Sequence, residues 1–471
     1  MKTLKSLLLI FFITASQNLF SQCWKKIAAG INHTLAIKTD GTLWAWGLND
    51  KGQLGDGTTV NKNVPTQIGS DSDWATIDAE EYNSMALKTN GTLWVWGNNY
   101  FGQVGNGLFG NNVTSVSPNQ VGTDNDWIKI SMGGQRAYAI KSDGTLWGWG
   151  YNAQGHLGIG NTNPHYIPFQ IGTDTDWMEI NAGLNQTLAI KTNHTLWGWG
   201  LNKSGSLAIG NPEPAPVITT PTQTGNLTSD WAKVNVGGCC SSKMIKIDGS
   251  IWAMGSGNSG NLGTGSLTDV NTPNLIGSDN DWKEIVTSYH SGALKADGTL
   301  WTWGSNFYGQ LGNNSNTLSN IPIEVANGVI WDMLVVGKDH TIGITNDGSL
   351  YTWGNNSYGQ LGDGTFTDKN IPTPIGNSCT LGTIDINGIK TLQVSPNPSC
   401  GYAIVTYSLQ EQSKVTFTIT NTLGQIVYKK IKVCNLGENQ EEIDLSDFSS
   451  GVYLITLQTS SEQKTIKVIK N

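Results

Sequence analysis

The chain has 471 residues, of which 58 are glycine, and only 14% are charged. This composition is typical of many tight turns and few charged helix faces, and the length allows two or three domains. Residues 22–387 hold 18 Lys or Arg against 29 Asp or Glu, a net charge of −11, and because such a surface repels phosphate backbones we expect no nucleic-acid partner.

The first 21 residues have the pattern of a secretory signal peptide. Lys2 and Lys5 precede an apolar run at 7–13, and small residues follow. Cleavage after Ser16 and cleavage after Ser21 both remain open. No later segment has the uninterrupted apolar run of about 18 residues that a membrane helix needs, so the mature chain is expected to have no transmembrane segment.

An eight-residue motif of the form Asp-Gly-Thr-Leu-Trp-Ala-Trp-Gly recurs about every 51 residues. Its Asp-Gly or Asn-Gly start suits a tight hairpin turn, and its Leu-Trp-x-Trp part alternates with the period of a strand. The seven copies lie at Asp40–Gly47, Asn90–Gly97, Asp143–Gly150, Asn193–Gly200, Asp248–Gly255, Asp297–Gly304 and Asp347–Gly354. A fixed period of this size indicates a repeat architecture.

Each repeat contains about four short strands. It opens with a Trp run, continues with a second apolar run and the hairpin motif, passes through a glycine-framed loop such as 49–57, and closes with a run such as Pro65–Ile68. Four strands per repeat are typical of a propeller blade, and blades in a closed ring cover one another's faces. All 19 tryptophans lie between positions 24 and 353, and we interpret them as packing between blades.

The ordered pattern of Trp, His-Thr-x-Ala, Asp-Gly-x-Leu-Trp-x-Trp-Gly, Asn and Gly-Gln-Leu-Gly resembles the regulator-of-chromosome-condensation repeat family. The resemblance implies a seven-bladed β-propeller, at residues 22–380. Units four and five depart from the pattern and are expected to be the irregular blades. In them His194 replaces the turn glycine and Ala208 the last loop glycine. Met254 replaces the second tryptophan, and Gly257 the loop asparagine.

The repeat frame also predicts how the ring closes. The chain starts at the Trp run of unit one and the last unit ends at 372–376, so we expect that last strand to lie beside Trp24–Ala29 and to complete blade one. Cys23 and Cys379 would then meet at the seam. Disulfides are permitted in an exported chain, and the predicted pairs are Cys23–Cys379 and, in the tail, Cys400–Cys434. Cys239 and Cys240 remain open, either as thiols or as a vicinal pair.

After a linker at 381–391, residues 392–471 have a different pattern. Period-two strands around Leu-Gly and Ser-Gly turns predict a small β-sandwich. The motifs Pro-Asn-Pro-Ser, Asn-Thr-Leu-Gly-Gln and Ser-Gly-Val-Tyr-Leu, followed by a basic end, resemble the type A C-terminal sorting domain of proteins exported by the type IX secretion system. The resemblance implies handling by the type IX secretion machinery, transit through the periplasm, passage across the outer membrane and removal of the tail.

Two repeated polar patterns could carry metal or acid chemistry. The first is His33, His290 and His340 at one repeat position, a set that could hold zinc. Strands of different blades lie too far apart for bonds of about 2 Å, so we expect each imidazole to bond the backbone of its own blade and predict no metal site. The second is an Asp-x-Asp before the blade Trp. It occurs as Asp71/Asp73, Asp124/Asp126, Asp174/Asp176 and Asp279/Asp281.

Paired carboxylates suit calcium binding or glycosidase chemistry. Their repetition in four blades instead favours Asx-turns that start the strand. The motifs of serine hydrolases, phosphate-binding loops and zinc proteases do not occur in the sequence. We therefore predict no catalytic residue and no cofactor.

The variable pair inside each glycine-framed loop supplies the candidate ligand-binding face. Aromatic residues at loop tips of a rigid ring give a large contact area at low entropic cost. The alternative is that each aromatic ring packs on the neighbouring blade. The candidate residues are Tyr100, Phe101, Tyr151, Phe307, Tyr308, Tyr358 and, from the strand position of the histidines, Arg136.

We therefore expect an all-β chain, a seven-bladed β-propeller followed by a small C-terminal β-sandwich. Within the resembled family, the nuclear member exchanges nucleotide on a small GTPase and a secreted member inhibits β-lactamase, so the resemblance implies a ring that can bind proteins. The expected function is that of a monomeric, secreted or cell-surface protein that binds an extracellular protein or glycan. The alternative is an extracellular hydrolase of polysaccharide, which a deep carboxylate pair in the central channel would favour.

Overall fold

The computed structural model describes residues 23–376 and 389–471, except positions 112, 210–215, 225–227, 239, 327, 400, 410–411, 423, 436 and 460–462 and the side chains of residues 390 and 391. The described residues fall into two compact units, 23–376 and 389–471. The predicted signal peptide with both cleavage sites, residues 381–388 of the predicted linker, and Cys239, Cys379 and Cys400 lie outside the described residues.

The first unit consists of seven four-stranded antiparallel sheets, each formed by one repeat with its strands in chain order. Blade one contains β1 (Trp24–Ala29), β2 (His33–Lys38), β3 (Leu43–Gly47) and β4 (Lys62–Gln67). Blade two contains β5 (Trp74–Glu80), β6 (Asn83–Lys88), β7 (Leu93–Asn98) and β8 (Thr114–Gln120). Blade three contains β9 (Trp127–Gly133), β10 (Arg136–Lys141), β11 (Leu146–Gly150) and β12 (His165–Gln170). Blade four contains β13 (Trp177–Ala182), β14 (Gln186–Lys191), β15 (Leu196–Leu201) and β16 (Val217–Gln223).

The remaining three blades follow the same order. Blade five contains β17 (Trp231–Val236), β18 (Ser241–Lys246), β19 (Ile251–Gly255) and β20 (Val270–Leu275). Blade six contains β21 (Trp282–Thr287), β22 (His290–Lys295), β23 (Leu300–Gly304) and β24 (Ser319–Val325). Blade seven contains β25 (Trp331–Val336), β26 (His340–Thr345), β27 (Leu350–Gly354) and β28 (Lys369–Ile375). Short 3₁₀ turns at Lys203–Gly205 and Asn258–Gly260 distinguish blades four and five, the two blades expected to be irregular.

The recurring motif folds into a hairpin because each of its residues has a local role. Gly41 takes the positive φ of +81° that the turn requires. The Asp40 carboxylate accepts hydrogen bonds from the Thr42 amide at 3.0 Å and the Thr42 hydroxyl at 2.7 Å. The Thr42 hydroxyl in turn accepts a bond from Trp44 Nε1 at 2.9 Å. The turn residues therefore also orient the first tryptophan of the strand.

The first strands of the seven blades surround a central channel. Each contacts the first strand of the next blade, and β1 contacts both β5 and β25, so the ring is closed. The glycine-framed loops lie at one end of the blades, because the strands alternate in direction. The Asp-Gly turns and the Asp-x-Asp segments lie at the other end.

The predicted closure by strand exchange is wrong. β28 pairs with β27 of its own blade, with Leu350 opposite Ile375 and Thr352 opposite Thr373. The last strand of every repeat pairs in this way with the Leu-Trp-x-Trp strand that precedes it, so repeat and blade coincide. The seam between blades seven and one closes instead by packing.

The contacts at this seam are the same as those at the other blade interfaces. Gly364 donates its amide hydrogen to Asn63 O at 2.8 Å, as Gly57 does to Val116 O at 2.8 Å between blades one and two. Trp46 Nε1 donates to Gln360 O at 2.9 Å. The second tryptophan of the motif is buried in the six blades that have it, and its indole donates to the preceding loop in each of them except at Trp199. This agrees with the interpretation of the tryptophans as packing residues.

The second unit is a β-sandwich. One sheet has the order β29-β30-β33 and the other β32-β31-β34-β35. The strands are β29 (Ile389–Ser395), β30 (Tyr402–Leu409), β31 (Ser413–Asn421), β32 (Ile426–Cys434), β33 (Gly437–Asp444), β34 (Gly451–Gln458) and β35 (Gln463–Lys470). Inward-facing residues such as Val405, Phe417 and Ile455 form its core. β29 begins inside the predicted linker, three residues before the predicted domain start. No helix among the described residues is long and apolar enough to span a membrane.

Candidate binding face

The glycine-framed loops are rigid because two amide side chains hold them from within. In blade one, Asn49 Oδ1 accepts the Leu54 amide at 2.9 Å, and Asn49 Nδ2 donates to Thr58 O and Val60 O at 3.1 and 3.2 Å. Gln53 Oε1 accepts the amide of Lys51, a member of the variable pair, at 2.9 Å. Blades two, six and seven repeat the Gln contact. The loops therefore present their variable pairs on a fixed backbone.

The predicted aromatic residues form two contacting groups and one separate residue. Tyr100, which is 43% exposed, lies 4.5 Å from Phe101 between ring centroids, and Phe101 lies 4.7 Å from Tyr151 on blade three. On blade six, Phe307 is 74% exposed and lies 4.9 Å from the half-buried Tyr308. Tyr358 of blade seven is 40% exposed. Phe101 packs on Tyr151 of the neighbouring blade, whereas Phe307 and Tyr358 remain accessible, and ligand binding by these residues stays a prediction.

The predicted placement of Arg136 on the loop face is wrong. Arg136 is completely buried. Its guanidinium donates to the backbone oxygens of Leu184 at 2.9 Å and Gly183 at 2.8 Å on blade four. A guanidinium can satisfy several carbonyls at once, and this one fastens blade three to blade four.

The inner ring of hairpin tips between the first and second strands was not predicted from the sequence. Tyr82 on blade two is half-buried, and its pKa is raised by burial and by Asp50, Glu81 and Tyr358. These groups from blades one, two and seven therefore share one region of the surface. The residue type at these turn positions differs from blade to blade, and this variation was the available signal in the sequence. A single repeat does not show which residues of different blades lie close together.

The three histidines bond the next blade rather than their own. His33 Nε2 lies 3.0 Å from Ser84 Oγ, and His290 Nε2 lies 2.7 Å from Thr341 Oγ1. All three are fully buried, and burial lowers the pKa of each imidazole to about 3. Among the described residues no group of three His, Cys, Asp or Glu is placed to hold a metal ion. The histidines are neutral contacts between blades.

The prediction that the Asp-x-Asp pairs form Asx-turns is wrong, because each pair binds a lysine side chain. In blade two, Lys88 Nζ lies 2.6 Å from Asp71 and 3.0 Å from Asp73. The same ammonium lies 4.8 Å from the ring centroid of Trp74 and 5.0 Å from that of Trp94. We call this arrangement the lysine clasp. It recurs with both aspartates at Lys141, Lys191 and Lys295.

Two carboxylates of blade two line the channel, in a cavity of about 210 Å³. Burial raises the pKa of Asp78 to about 6. Burial, followed by the charges of Glu81 and Asp78, raises the pKa of Glu80 to about 8. The neighbouring Glu81 has a pKa of about 7, raised by burial. Glu80 stands where blades one, three, four, five and seven carry glycine.

Asp78 is a contact between blades. Its Oδ2 accepts the Met132 amide of blade three at 2.6 Å. Asn181 and Asn235 occupy the same position in blades four and five and accept the amides of Val236 at 2.7 Å and Thr287 at 2.8 Å. Because an amide side chain performs this role elsewhere in the ring, the position does not require an acid.

The cysteines give two results. Cys23 is disulfide-bonded, and its predicted partner Cys379 lies outside the described residues, so the pairing remains a prediction. Cys434 is a buried, free thiol that lies 3.0 Å from the Tyr407 hydroxyl. The predicted Cys400–Cys434 disulfide is therefore wrong, because Cys434 is a free thiol. Cys400 itself lies outside the described residues.

Family models match both units. The regulator of chromosome condensation (RCC1) repeat model matches residues 40–87, 90–140, 143–190, 248–294 and 297–344, just over half of the chain. A second model of the same repeat matches 24–53, 127–155 and 334–360. The secretion system C-terminal sorting domain model matches residues 393–471.

Individual relatives share parts of the ring. The ultraviolet-B receptor UVR8 of Arabidopsis thaliana is 28% identical over 148 residues, which are 29% of this chain and 31% of the receptor. The RCC2 homologue of Danio rerio is 56% identical over 36 residues, 8% of this chain and 7% of the relative. The chain thus covers about a third or less of the length of these relatives.

Solved structures share the fold. Human WBSCR16 has a TM-score of 0.63 at 17% identity, covering 71% of this chain and 94% of that one. Yeast RCC1 (Prp20), solved bound to Kap60, has a TM-score of 0.65 at 16% identity, covering 81% and 90%. The chain therefore belongs to the regulator of chromosome condensation (RCC1) repeat family and carries a secretion system C-terminal sorting domain at residues 393–471.

Proposed function

We propose that the protein is an exported interaction module. In this proposal, the signal peptide at residues 1–21 leads to the periplasm, and the C-terminal domain directs type IX passage across the outer membrane and is removed. The propeller then acts as a monomer, in the medium or on the cell surface, and binds a protein or glycan through its loop-tip face. The match of the last 79 residues to a secretion sorting domain supports the export step.

The exposed aromatic residues on rigid loops carry the binding half of the proposal. Tyr100, Phe307 and Tyr358 are each at least 40% exposed, although their loops are held by the internal Asn and Gln contacts described above. Aromatic residues presented in this way lose little entropy on binding and are common among binding hot spots. The acidic pair of the channel gives less support to hydrolysis, since Asp78 is committed to Met132. We therefore propose a non-enzymatic role.

The export step is tested by truncation after residue 388. In a bacterium with a type IX system, the full chain is expected in the medium or on the surface, and the truncated chain in the periplasm. A strain without the translocon should retain both chains in the periplasm. Export of the truncated chain would contradict the proposal.

The binding step is tested with Tyr100→Ala/Phe101→Ala in the full chain. Glycan arrays and crosslinking to proteins on intact cells are expected to lose about tenfold of their signal. Phe169→Ala is the matched control, because Phe169 is 44% exposed but lies on the outer strand β12. Unchanged signals in the double variant, with the same partners captured, would count against the loop-tip face.

A further inference from the structure

Blades seven, one and two present aromatic and acidic side chains side by side around one edge of the channel mouth. We call this surface the acidic-aromatic rim, defined as Asp50, Glu81, Tyr82, Tyr100, Phe101 and Tyr358. The hairpin tips beneath it are joined across blades, because Lys338 N donates to Ile31 O at 3.4 Å and Ile31 N donates to Glu81 O at 3.3 Å. The rim is therefore a continuous surface of the ring.

A cavity of about 470 Å³ opens within this surface. Asp50 and Lys51 of blade one, Tyr100 and Phe101 of blade two, and Gln135 of blade three contribute to its wall. A cavity of this size admits a side chain of a partner, and its wall combines ring faces with a carboxylate.

The rim carries two acidic side chains, Asp50 and Glu81, and the ion pair given for them is that of Asp50 with Lys51. Neither Glu80 nor Glu81 has an ion-pair partner among the described Lys and Arg side chains, and Lys51 reaches only Asp50, at 3.7 Å. The nearby Arg136 is buried and its guanidinium donates to backbone oxygens of blade four. Burial raises the pKa of Glu81 to about 7 against the opposing effect of the Arg136 charge, so a cation placed beside this carboxyl group would favour its ionised form.

The chain itself shows what such a combination binds. At the opposite end of the blades, each lysine clasp places an ammonium between two indole rings and two carboxylates, as Lys88 lies between Trp74 and Asp71. Cations are attracted to aromatic faces and to carboxylates at once. At the rim the same two kinds of group occur, but Lys51 lies 3.7 Å from Asp50 and no described Lys or Arg forms an ion pair with Glu81.

We propose that the acidic-aromatic rim binds a Lys- or Arg-bearing segment of a protein partner. This inference rests on the proposed function of the loop-tip face and specifies its ligand. The partner's cation lies against Tyr82 and Tyr100 and pairs with Asp50 and Glu81, while apolar side chains next to it enter the cavity beside Phe101. Complementary charge at the rim also speeds association and makes it sensitive to salt.

The test selects a random dodecapeptide phage library on the immobilised full chain and measures the enriched peptides by fluorescence polarisation. Enriched peptides are expected to contain at least two Lys or Arg with neighbouring apolar residues. Glu81→Gln/Asp50→Asn and Tyr100→Ala/Phe101→Ala are each expected to weaken binding about tenfold. Asp40→Asn/Asp297→Asn is the matched control, since it removes two charges at the opposite end, where blades two and four carry Asn90 and Asn193.

Each outcome of this experiment either supports or overturns the inference. Peptides that lose affinity in both rim variants but not in the control support the inference. No enrichment, enrichment without excess Lys or Arg, or equal loss in the control variant overturns it. A glycan-array signal that depends on Tyr100 and Phe101 but not on Asp50 or Glu81 overturns the inference while the proposed function stands. Loss of neither glycan nor peptide binding in Tyr100→Ala/Phe101→Ala overturns both.

Discussion

At the residue scale, Lys243 of blade five occupies a position that hydrophobic side chains fill in most blades, with Met85 in blade two. It is completely buried. Its Nζ donates to Ser241 Oγ, Asn261 Oδ1 and Thr287 Oγ1, each at 3.0 Å. No carboxylate among the residues that the structure describes forms an ion pair with it, and burial holds the pKa of Lys243 well below its ordinary 10.5. The folded protein therefore favours the neutral amine.

This predicts that Lys243→Met stabilises the propeller at neutral pH by about 1–3 kcal/mol. Below pH 10.5 the unfolded chain binds a proton at this lysine, whereas the folded chain binds one only at lower pH, because the pKa of Lys243 is lowered by burial. The free energy of unfolding of the wild type therefore decreases as pH falls. The advantage of the variant in urea unfolding should grow from pH 10 to pH 7. The half-exposed Lys129 supplies the control, as Lys129→Met should show no such trend. A constant difference between pH 10 and pH 7 would contradict the assignment.

Ala208 and Met254 form a second residue-scale feature, a coupled pair of departures from the repeat. At the other described interfaces a loop glycine faces the indole of the next blade, and a Cβ added at Gly105 would lie 2.7 Å from Trp149 Nε1. Between blades four and five the indole is replaced by Met254 and the glycine by Ala208, and both belong to one core cluster. The space left by the smaller side chain accommodates the alanine methyl.

The pair is therefore predicted to be coupled in a double-mutant cycle. Met254→Trp alone should destabilise the chain by about 1–3 kcal/mol through overpacking against Ala208. Met254→Trp/Ala208→Gly should recover most of that loss, because it restores the arrangement of the other interfaces. Thermal unfolding of the four proteins gives the coupling free energy. Additive effects of the two substitutions would show that the residues do not share a contact.

At the scale of the element, the glycine-framed loop is the part that joins blades. In blade two the Gln103 carbonyl accepts the indole of the next blade, Gly105 lies against that indole, and Gly107 donates to the next outer strand. The Asn side chain at its start and the Gln side chain hold the loop itself. The contacts between blades and the aromatic residues proposed to bind a ligand thus fall on different positions of one loop.

Gly105→Ala and Gly107→Ala separate steric contact from backbone strain. Both glycines have nearly the same positive φ, +78° and +81°, so both substitutions carry the same backbone cost. A Cβ at Gly105 meets the Trp149 indole, whereas one at Gly107 meets only Ile167 Cγ2, at 3.8 Å. Gly105→Ala is expected to cost about 2 kcal/mol more in urea unfolding. Equal costs would mean that Trp149 moves away freely.

At the scale of the whole molecule, the ring closes without strand exchange. The seam between blades seven and one has the same contacts as the other interfaces, and one core cluster joins Trp46 and Ile27 of blade one to Ile344 and Ile375 of blade seven. What distinguishes this seam is that no covalent chain continues across it. Cys23, which is disulfide-bonded, directly precedes the first strand at this seam, and its predicted pairing with Cys379 would supply such a connection.

Cys23→Ser is therefore predicted to lower the stability of the propeller by about 2–4 kcal/mol under oxidising conditions. Calorimetry of the full chain should show the loss, and reduction of the wild type should reproduce it. Cys434→Ser is the control, since Cys434 is a free thiol of the other unit and should leave the propeller transition unchanged. Non-reducing peptide mapping is expected to link Cys23 to Cys379. An unaltered propeller transition in Cys23→Ser would contradict a role in closure.

The sequence by itself determined the seven blades, the four strands in each and the separate sandwich, because turn chemistry, strand alternation and the 51-residue period are local properties of the chain. The family and structural comparisons confirm this fold. The loop-tip position of the aromatic residues was also predicted from the sequence, since they interrupt a repeating frame, and their role in binding stays a prediction. Only the tertiary structure decided the closure of the ring and the partners of His33, Arg136 and the Asp-x-Asp pairs. The closure, His33 and Arg136 contacts join residues of different blades, up to about 300 positions apart, so no single repeat contains that information. The Asp-x-Asp contact lies within one blade, but it joins residues 14 to 17 positions apart that only the pairing of the strands brings together.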